Sequence, residues 1–175
     1  CPRITDVFYM EEILRALGAE TWWEDHDLYL DCTHADGSHV PEIYSGRMRS
    51  SIILLGPILA RNQQAEIGYP GGCVIGKRPI DFHLDVLRAM GAEILDDGGM
   101  LIAKAETLCG TTFRFPYPSV GATENALMAA ALASGTTKLL NCAREPEIVD
   151  LQGFLQALGA RVTGAGTEEI HVSGG

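Results

Sequence analysis

One six-residue string occurs three times along the chain, and this repetition restricts the folds that the chain can adopt. The string reads LRALGA at residues 14–19, LRAMGA at 87–92 and LQALGA at 155–160, at intervals of 73 and 68 residues. A string that recurs at such a period is typical of supersecondary units that are repeated and packed against one another. The sequence therefore predicts three related units.

Each copy of the string marks the end of a predicted amphipathic helix, because apolar residues at helical spacing precede it. These residues are Val7, Met10, Ile13, Leu14 and Leu17 in the first unit and Ile148, Leu151, Phe154, Leu155 and Leu158 in the third. We expect these faces to pack against the core. Each helix is predicted to end at its Gly-Ala pair, where glycine can adopt the left-handed conformation. A two-stranded hairpin is predicted after each helix, at 20–31, 93–103 and 161–173.

The part of a unit that precedes its repeated string and helix is called its front half. The front halves of the second and third units also match, since residues 48–69 align with 120–141 at a constant offset of 72. Each front half contains a helix, at 51–60 and 125–133, with so little polar surface that we expect it to be buried. Each unit therefore reads strand, helix, strand, helix, strand, strand. This order predicts an α/β (α+β) fold of pseudo-threefold repeats, with one helix of each unit inside and the sheets outside.

The predicted units span about 1–31, 47–104 and 112–173, and the first lacks most of a front half. When the units are aligned on their helices, Cys1 corresponds to Cys142, which follows Ser119 by 23 residues. The expectation is that residues 1–175 form a single domain, with a truncated first unit, from a longer protein.

Composition disfavours several classes of function. No apolar run approaches the roughly 20 residues that a membrane-spanning helix needs, and no secretory signal pattern is seen. The net charge of −10 argues against nucleic acid and anionic membranes as partners. The five cysteines include no Cys-x-x-Cys pair, which favours free thiols over disulfides or a metal site. We therefore expect a soluble, cytoplasmic protein that uses no metal ion and no cofactor.

The repeat loses its register at residues 70–79, PGGCVIGKRP, where the middle unit has about four additional residues. Cys73 lies there between two glycines and the cations Lys77 and Arg78. Nearby cations stabilise a thiolate, so this thiol is a candidate acid or nucleophile. An ordinary glycine-rich turn is the alternative, and the residues alone leave both open. A phosphatase loop of the Cys-x5-Arg type is excluded, because Arg78 follows Cys73 by only five positions.

Three further positions have both a structural and a functional interpretation. Ser119 begins a predicted helix, where helix capping is favoured over anion binding. Arg49 opens the other buried helix, where the helix dipole disfavours a cation unless a ligand or a carboxylate lies nearby. His83 occupies the place of Met10 and Leu151 in the sister units, which favours a buried histidine with satisfied hydrogen bonds over a catalytic one. Core positions are predicted for three other thiols, namely Cys32, Cys109 and Cys142.

Four motifs occur in an order that resembles the UDP-N-acetylglucosamine enolpyruvyl transferase family, along nearly all 175 residues. They are GGCVIGKRPIDFH at 71–83, MRSS at 48–51, SVGATEN at 119–125 and AREPEIVD at 143–150. The resemblance implies an inside-out α/β barrel domain of three βαβαββ units, with the active site between this domain and a second domain of the same chain. It also implies transfer of the enolpyruvyl group from phosphoenolpyruvate to the 3′-hydroxyl of UDP-N-acetylglucosamine, with release of phosphate, at the start of peptidoglycan synthesis.

The resemblance also implies roles for individual residues. Cys73 matches a loop cysteine that donates a proton to the phosphoenolpyruvate methylene carbon and can form a covalent adduct. Arg78 matches an arginine near the phosphate groups, and Arg49 a further substrate-contacting arginine. The residues matching the stretch that holds the uridine nucleotide are Pro79, Ile80, Asp81 and Phe82. The residues matching the segment beside the diphosphate are Ser119, Val120 and Gly121.

Parts of the family's site have no counterpart among these 175 residues. The Lys-Asn pair that contacts phosphoenolpyruvate belongs to the missing front half, and the aspartate general base and a further arginine belong to the second domain. Where some relatives have a lysine before the Ser-Val-Gly segment, this chain has Tyr117 and Pro118. We expect weak binding and negligible turnover from the chain alone. The alternatives are an enzyme of the 5-enolpyruvylshikimate-3-phosphate synthase type, which lacks the Gly-Gly-Cys loop, and a non-catalytic domain that binds a nucleotide sugar.

Overall fold

A computed structural model describes residues 1–71 and 80–175. The helices are α1 (Thr5–Ala16), α2 (Glu42–Ser45), a 3₁₀-helix (Arg49–Leu54), α3 (Leu55–Asn62), α4 (Asp81–Ala89), α5 (Val120–Ala131) and α6 (Pro146–Ala157). The strands are β1 (Glu20–Glu24), β2 (Asp27–Asp31), β3 (His39–Val40), β4 (Gln64–Gly68), β5 (Glu93–Asp97), β6 (Met100–Lys104), β7 (Thr112–Arg114), β8 (Gly135–Leu140), β9 (Arg161–Thr163) and β10 (Glu169–Gly174).

Two four-stranded sheets have the same strand order, β3-β4-β6-β5 and β7-β8-β10-β9. In each sheet the first pair of strands is parallel and the other two pairs are antiparallel. The hairpin of β1 and β2 forms a separate two-stranded sheet. All three predicted hairpins are confirmed, and so is the predicted α/β repeat. The sheet that contains β4 also includes β3, which lies before the predicted start of its unit at about residue 47.

The three repeated strings end their helices in the same way, as predicted. Gly18, Gly91 and Gly159 have φ angles of 99°, 100° and 100°. The alanine that follows each glycine donates its N–H to a carbonyl five residues earlier, at 2.9 Å, 3.0 Å and 2.9 Å. This is the Schellman arrangement, which satisfies carbonyls that the end of a helix leaves without a partner. The repeat in sequence therefore corresponds to a repeat in backbone geometry.

The helices α3 and α5 pack against each other in the core. The face of α5 is made of small side chains that are fully buried, namely Ala122, Ala126, Ala129 and Ala130. Small residues let the two backbones approach closely, and a Cβ atom on Gly56 of α3 would lie 3.1 Å from the Cβ of Ala129. The prediction of buried inner helices is confirmed, although α5 begins at Val120, before the expected 125–133 segment.

The predicted helix at 51–60 is divided into the 3₁₀-helix and α3, and the side chain of Asn125 lies at the division. The N–H of Gly56 donates to Asn125 Oδ1 at 2.8 Å, and Asn125 Nδ2 donates to the carbonyl of Ile52 at 3.1 Å. In a continuous α-helix those two backbone groups would bond to each other. Pro57 follows in the first turn of α3, where its missing N–H is tolerated. The inserted amide therefore accounts for the break.

Two residues at the C-terminal end of α6 that were predicted to face the core are exposed: Phe154 within the helix and Leu158 at its C-cap. The repeat register makes Phe154 equivalent to Ile13 and Val86; Phe154 is 61% exposed and both of the others are fully buried. Leu158 is likewise 70% exposed, whereas the equivalent Leu17 and Met90 are buried. The prediction was wrong for Phe154 and Leu158.

The difference has a physical cause in the segment that follows each outer helix. The Leu17 carbonyl accepts a hydrogen bond from Gly37 N at 3.0 Å, and the Met90 carbonyl accepts one from Cys109 N at 2.9 Å. The chain entering the next unit therefore covers the ends of α1 and α4. Within 1–71 and 80–175, no segment covers the end of α6 at Leu158 in this way.

Equivalent residues in α1 and α6 should differ in their contribution to stability. Ile13→Ala should lower the free energy of unfolding by about 2–5 kcal/mol, because it opens a cavity at a fully buried site. Phe154→Ala should lower it by less than about 1 kcal/mol, because that ring is mostly exposed. Urea unfolding followed by circular dichroism measures both values, and equal losses would contradict the assignment of the two faces.

Candidate functional site

A cavity lies where the starts of three helices come together. Its walls are formed by the beginnings of the 3₁₀-helix, α4 and α5, and its volume is about 730 Å³. The residues that line it include Arg49, Phe82, His83, Ser119, Val120 and Gly121. Helix N-termini present unpaired N–H groups and a partial positive charge, so their convergence favours an anionic ligand.

Five of the predicted substrate-binding residues line this cavity: Arg49, Phe82, Ser119, Val120 and Gly121. Ile80 and Asp81 do not line it. Ile80 is buried, and its carbonyl accepts the first backbone hydrogen bonds of α4, whereas the side chain of Asp81 is exposed at the start of that helix. The candidate catalytic residue Cys73 and two further candidates, Arg78 and Pro79, lie outside the described residues.

Ser119 caps α5, as predicted. Its Oγ accepts a hydrogen bond from Ala122 N at 3.4 Å, and its carbonyl accepts from the N–H and the hydroxyl of Thr123 at 3.0 Å and 2.7 Å. In the described part of the chain, no acceptor reaches the N–H groups of Val120 and Gly121. Ser119 therefore fixes the start of the helix, and the two amides that follow it are available to a ligand.

Arg49 adds a full positive charge to the wall of the cavity. No carboxylate of residues 1–71 or 80–175 lies within 4 Å of its guanidinium group. The carboxylates of Asp6 and Glu124 also line the cavity. Burial raises the pKa of Glu124, with a smaller contribution from the charge of Glu147.

His83 is buried, as the repeat pattern predicted, and it contacts the inserted Asn125 amide. The two hydrogen bonds of Asn125 to Gly56 and Ile52 fix which end of that amide is oxygen and which is nitrogen. Asn125 Nδ2 lies 3.1 Å from His83 Nδ1. Since Nδ2 carries only hydrogens, it donates and Nδ1 accepts, so the imidazole proton is on Nε2. Burial, together with the charge of Arg49, lowers the pKa of His83 to about 4.

The thiols outside the loop differ from one another. Cys142 is buried as predicted, and burial raises its pKa to about 12, so it holds its proton at neutral pH. Cys109 is exposed and Cys32 is partly exposed, which corrects the prediction that both lie in the core. These two cysteines lie in the connections that follow the hairpins, where one side of the chain faces solvent. None of the three lines the cavity that contains Arg49.

Neither a cluster of three metal-ligating side chains nor a helix long and apolar enough to cross a membrane occurs in the described ranges. Of the expected binding residues, Arg49, Phe82, Ser119, Val120 and Gly121 line one anion-favouring cavity. The sequence analysis did not place His83 in the site. Its polar side chain could have indicated this, because the equivalent positions in both sister units are apolar.

Comparisons with known proteins agree with the fold and with the motifs. The sequence profile of the EPSP synthase (3-phosphoshikimate 1-carboxyvinyltransferase) family matches residues 1–175. The chain is 46% identical over 174 residues to UDP-N-acetylglucosamine 1-carboxyvinyltransferase 2 of Caldanaerobacter subterraneus subsp. tengcongensis. That alignment covers 99% of this chain and 42% of the relative.

Solved structures show the same architecture. The enolpyruvyl transferase NikO from Streptomyces tendae matches with a TM-score of 0.86 and 27% identity, over 100% of this chain and 41% of that one. EPSP synthase from Acinetobacter baumannii matches with a TM-score of 0.73 over 96% of this chain and 39% of that one, and at 23% identity this likeness concerns the fold alone.

The fold and the matched profile together define an enolpyruvyl transferase domain. The chain belongs to the EPSP synthase family, and it is 46% identical to one UDP-N-acetylglucosamine 1-carboxyvinyltransferase over nearly its whole length. The resemblance predicted from the motifs is confirmed. The chain spans less than half the length of the curated relative that it matches.

The protonation state of His83 predicts how stability depends on pH. Its pKa is about 4 in the folded chain and about 6.5 when unfolded, so the unfolded state binds the proton more tightly. The free energy of unfolding should therefore fall as the pH falls through this window, by up to about 3 kcal/mol from this group. His83→Met should remove this contribution.

Urea unfolding between pH 4 and 7 measures the effect as the difference between the two proteins. The difference is needed because carboxyl groups whose pKa is lowered in the fold also lose stabilising charge in acid; these groups are Glu11, Asp31 and Glu169. Parallel pH profiles for the original chain and the variant would show that His83 takes up its proton normally when folded.

Proposed function

We propose that this domain takes part in transferring the enolpyruvyl group of phosphoenolpyruvate to the 3′-hydroxyl of UDP-N-acetylglucosamine, with release of phosphate, in peptidoglycan synthesis. The observation that carries the proposal is the 46% identity, over nearly the whole chain, to a protein named for this transfer. The cavity supports it independently, since it combines a cation with the unpaired amides at the start of α5. Such a site suits the oxygens of a nucleotide diphosphate.

The charge distribution explains how an acidic chain can hold a dianionic ligand. The net charge is −10, so the bulk of the surface repels an anion, and binding must rely on local donors. Arg49 and the amides of Val120 and Gly121 provide such donors within one cavity. The proposed site therefore needs short-range contacts rather than long-range attraction.

The chemical step requires an acid for the methylene carbon of phosphoenolpyruvate. Protonation of that carbon makes the neighbouring carbon cationic, and the sugar hydroxyl then forms a C–O bond to it as the hydroxyl proton is removed. Breaking the bond to phosphate and returning one methyl proton restores the double bond, so protons and electrons balance. We assign the acid to Cys73, because the cations Lys77 and Arg78 follow it in sequence and favour its thiolate after the transfer.

The remaining assignments follow the family motifs. Arg78 is proposed to contact the phosphate groups, and the segment that holds the uridine nucleotide is proposed to comprise Pro79, Ile80, Asp81 and Phe82. Arg49 and the first residues of α5 are proposed to hold the diphosphate. The position of Arg49 and α5 around one cavity supports this division.

We further propose that residues 1–175 are a single domain of a longer two-domain cytoplasmic enzyme, with units at about 1–31, 47–104 and 112–173. Two observations support this proposal. The chain covers 42% of its relative, and the end of α6 exposes Phe154 and Leu158, whose equivalents in the other units are buried. The aspartate base would then come from the second domain, so the chain alone should release no measurable phosphate.

Binding of the nucleotide sugar to the chain tests the site. Arg49→Ala should weaken UDP-N-acetylglucosamine binding about 10-fold or more, because it removes a charged hydrogen-bond donor from the cavity. Protein-observed NMR titration measures this change, since it also reports weak binding. Arg161→Ala is the matched control, because Arg161 is exposed on β9 and does not line the cavity.

Shikimate 3-phosphate serves as the competing ligand in the same titration. Tighter binding of shikimate 3-phosphate than of the nucleotide sugar would favour an enzyme of the EPSP synthase type. Equal effects of the Arg49 and Arg161 substitutions on binding affinity would show that Arg49 does not contribute to the proposed site.

Labelling with fosfomycin, an epoxide analogue of phosphoenolpyruvate, tests the role of Cys73. In a full-length enzyme that carries this domain, we expect the adduct on Cys73, and we expect it to form faster when UDP-N-acetylglucosamine is present. Mass spectrometry of the digested protein locates the adduct. The exposed Cys109 is an internal control, and labelling of both thiols at the same rate would contradict a special acidity of Cys73.

A further inference from the structure

We propose that His83 is a substrate-binding residue, a neutral imidazole whose Nε2–H donates a hydrogen bond to an anionic oxygen of the ligand held at the start of α5. For the identity of that ligand, the diphosphate of a nucleotide sugar, the proposal rests on the proposed function. The presence of an N–H donor on Nε2 in the cavity wall rests on the geometry of the buried side chains alone.

The tautomer of His83 is fixed by a chain of hydrogen bonds that begins at the backbone. Gly56 N–H can only donate, so the Asn125 atom that it meets at 2.8 Å is oxygen; the Ile52 carbonyl can only accept, so the atom 3.1 Å away is nitrogen. That nitrogen donates its second hydrogen to His83 Nδ1. The proton of the ring is therefore on Nε2, where it is available as a donor.

The Nε2 side of the ring lies against the first turn of α5. A Cβ atom placed on Gly121 would lie 3.2 Å from His83 Cε1 and 3.5 Å from Nε2. Only 6% of the surface of residue His83 is exposed, and yet the residue forms part of the cavity wall. Across the described residues, Nε2 has no hydrogen-bond acceptor. Among the described residues, the buried side-chain polar atom without a partner is Thr137 Oγ1, so Nε2–H is not sealed inside the core. It can donate to a ligand oxygen in the cavity that His83 lines.

Comparison among the repeated units shows that the helix does not need a histidine here. The equivalent residues are Met10 in α1 and Leu151 in α6, and both are apolar. The imidazole occurs in the one unit whose outer helix lines this cavity at that position. The acceptor Nδ1 satisfies the Asn125 amide, which explains a polar residue at this position, and the same bond leaves the ring N–H on Nε2 for a ligand.

A neutral donor is an advantage at this site because it does not depend on pH in the physiological range. The charged and titratable groups that line the same cavity are Arg49 and Arg47 beside the 3₁₀-helix, Glu124 on α5 and Asp6 on α1. The nearby guanidinium group of Arg49 and burial both oppose protonation of the ring. Protonated Nδ1 would also face the N–H of Asn125. We therefore expect the contribution of His83 to affinity to be constant between about pH 5.5 and 8.

Two substitutions separate the donor from the packing role. His83→Met, which introduces the residue found at the equivalent position of α1, should weaken UDP-N-acetylglucosamine about 10-fold or more and leave uridine, which has no phosphate, within about 2-fold. His83→Gln keeps an N–H near the position of Nε2 and should retain affinity within about 3-fold. A loss of affinity for uridine equal to that for the nucleotide sugar would overturn the proposal, because it would indicate a purely structural effect.

NMR of the unsubstituted chain keeps the proposal testable even if the variants fold poorly. Long-range ¹H–¹⁵N spectra should show His83 as the Nε2–H tautomer, and inorganic pyrophosphate should shift the Nε2 resonance. Either the opposite tautomer or a resonance unmoved by saturating pyrophosphate would overturn the proposal. Pyrophosphate binding at His83 without binding of UDP-N-acetylglucosamine would contradict the proposed function while supporting the donor role.

Discussion

The insertion of the Asn125 amide into the backbone between Ile52 and Gly56 is the interaction on which the arrangement of the site depends. The side chain is fully buried, and it uses both ends of its amide to replace a hydrogen bond that an uninterrupted helix would make within itself. Its close approach also requires a glycine at position 56, because a Cβ atom there would clash with Asn125 Oδ1. One amide thus joins the inner helices of two units and fixes the tautomer of His83 in a third helix.

This interaction also explains why the inner helix of the second unit is not a copy of α5. Both helices follow from the same apolar pattern, but the residue equivalent to Asn125 in the second unit, at an offset of 72, is Ile53, which cannot insert into a neighbouring backbone. The asymmetry between the units is therefore encoded in side chains rather than in the overall pattern. Similar units can pack in one core and still differ at the few positions that form a site.

Local sequence patterns predicted the elements whose geometry is determined locally. The three Gly-Ala helix ends and the three hairpins depend on residues within a few positions of each other, and all were predicted. The exposure of Phe154 was not predicted, because periodicity shows which face of a helix is apolar but not whether another segment covers it. The division at Leu54–Leu55 was missed for a related reason, since its cause is a side chain about 70 residues later in the chain.

The candidate site shows how two repeated units supply complementary parts of one cavity. At an offset of 72, Gly121 is equivalent to Arg49, and both line the cavity at the start of an inner helix. In the second unit that position carries a guanidinium group, whereas in the third the missing side chain leaves room for the imidazole of His83. Burial and the charge of Arg49 both oppose protonation of the ring, so one part of the wall carries a charged group and another a neutral imidazole. Equivalent positions of two units thus contribute a charge and a gap to the same cavity, which two identical units could not do.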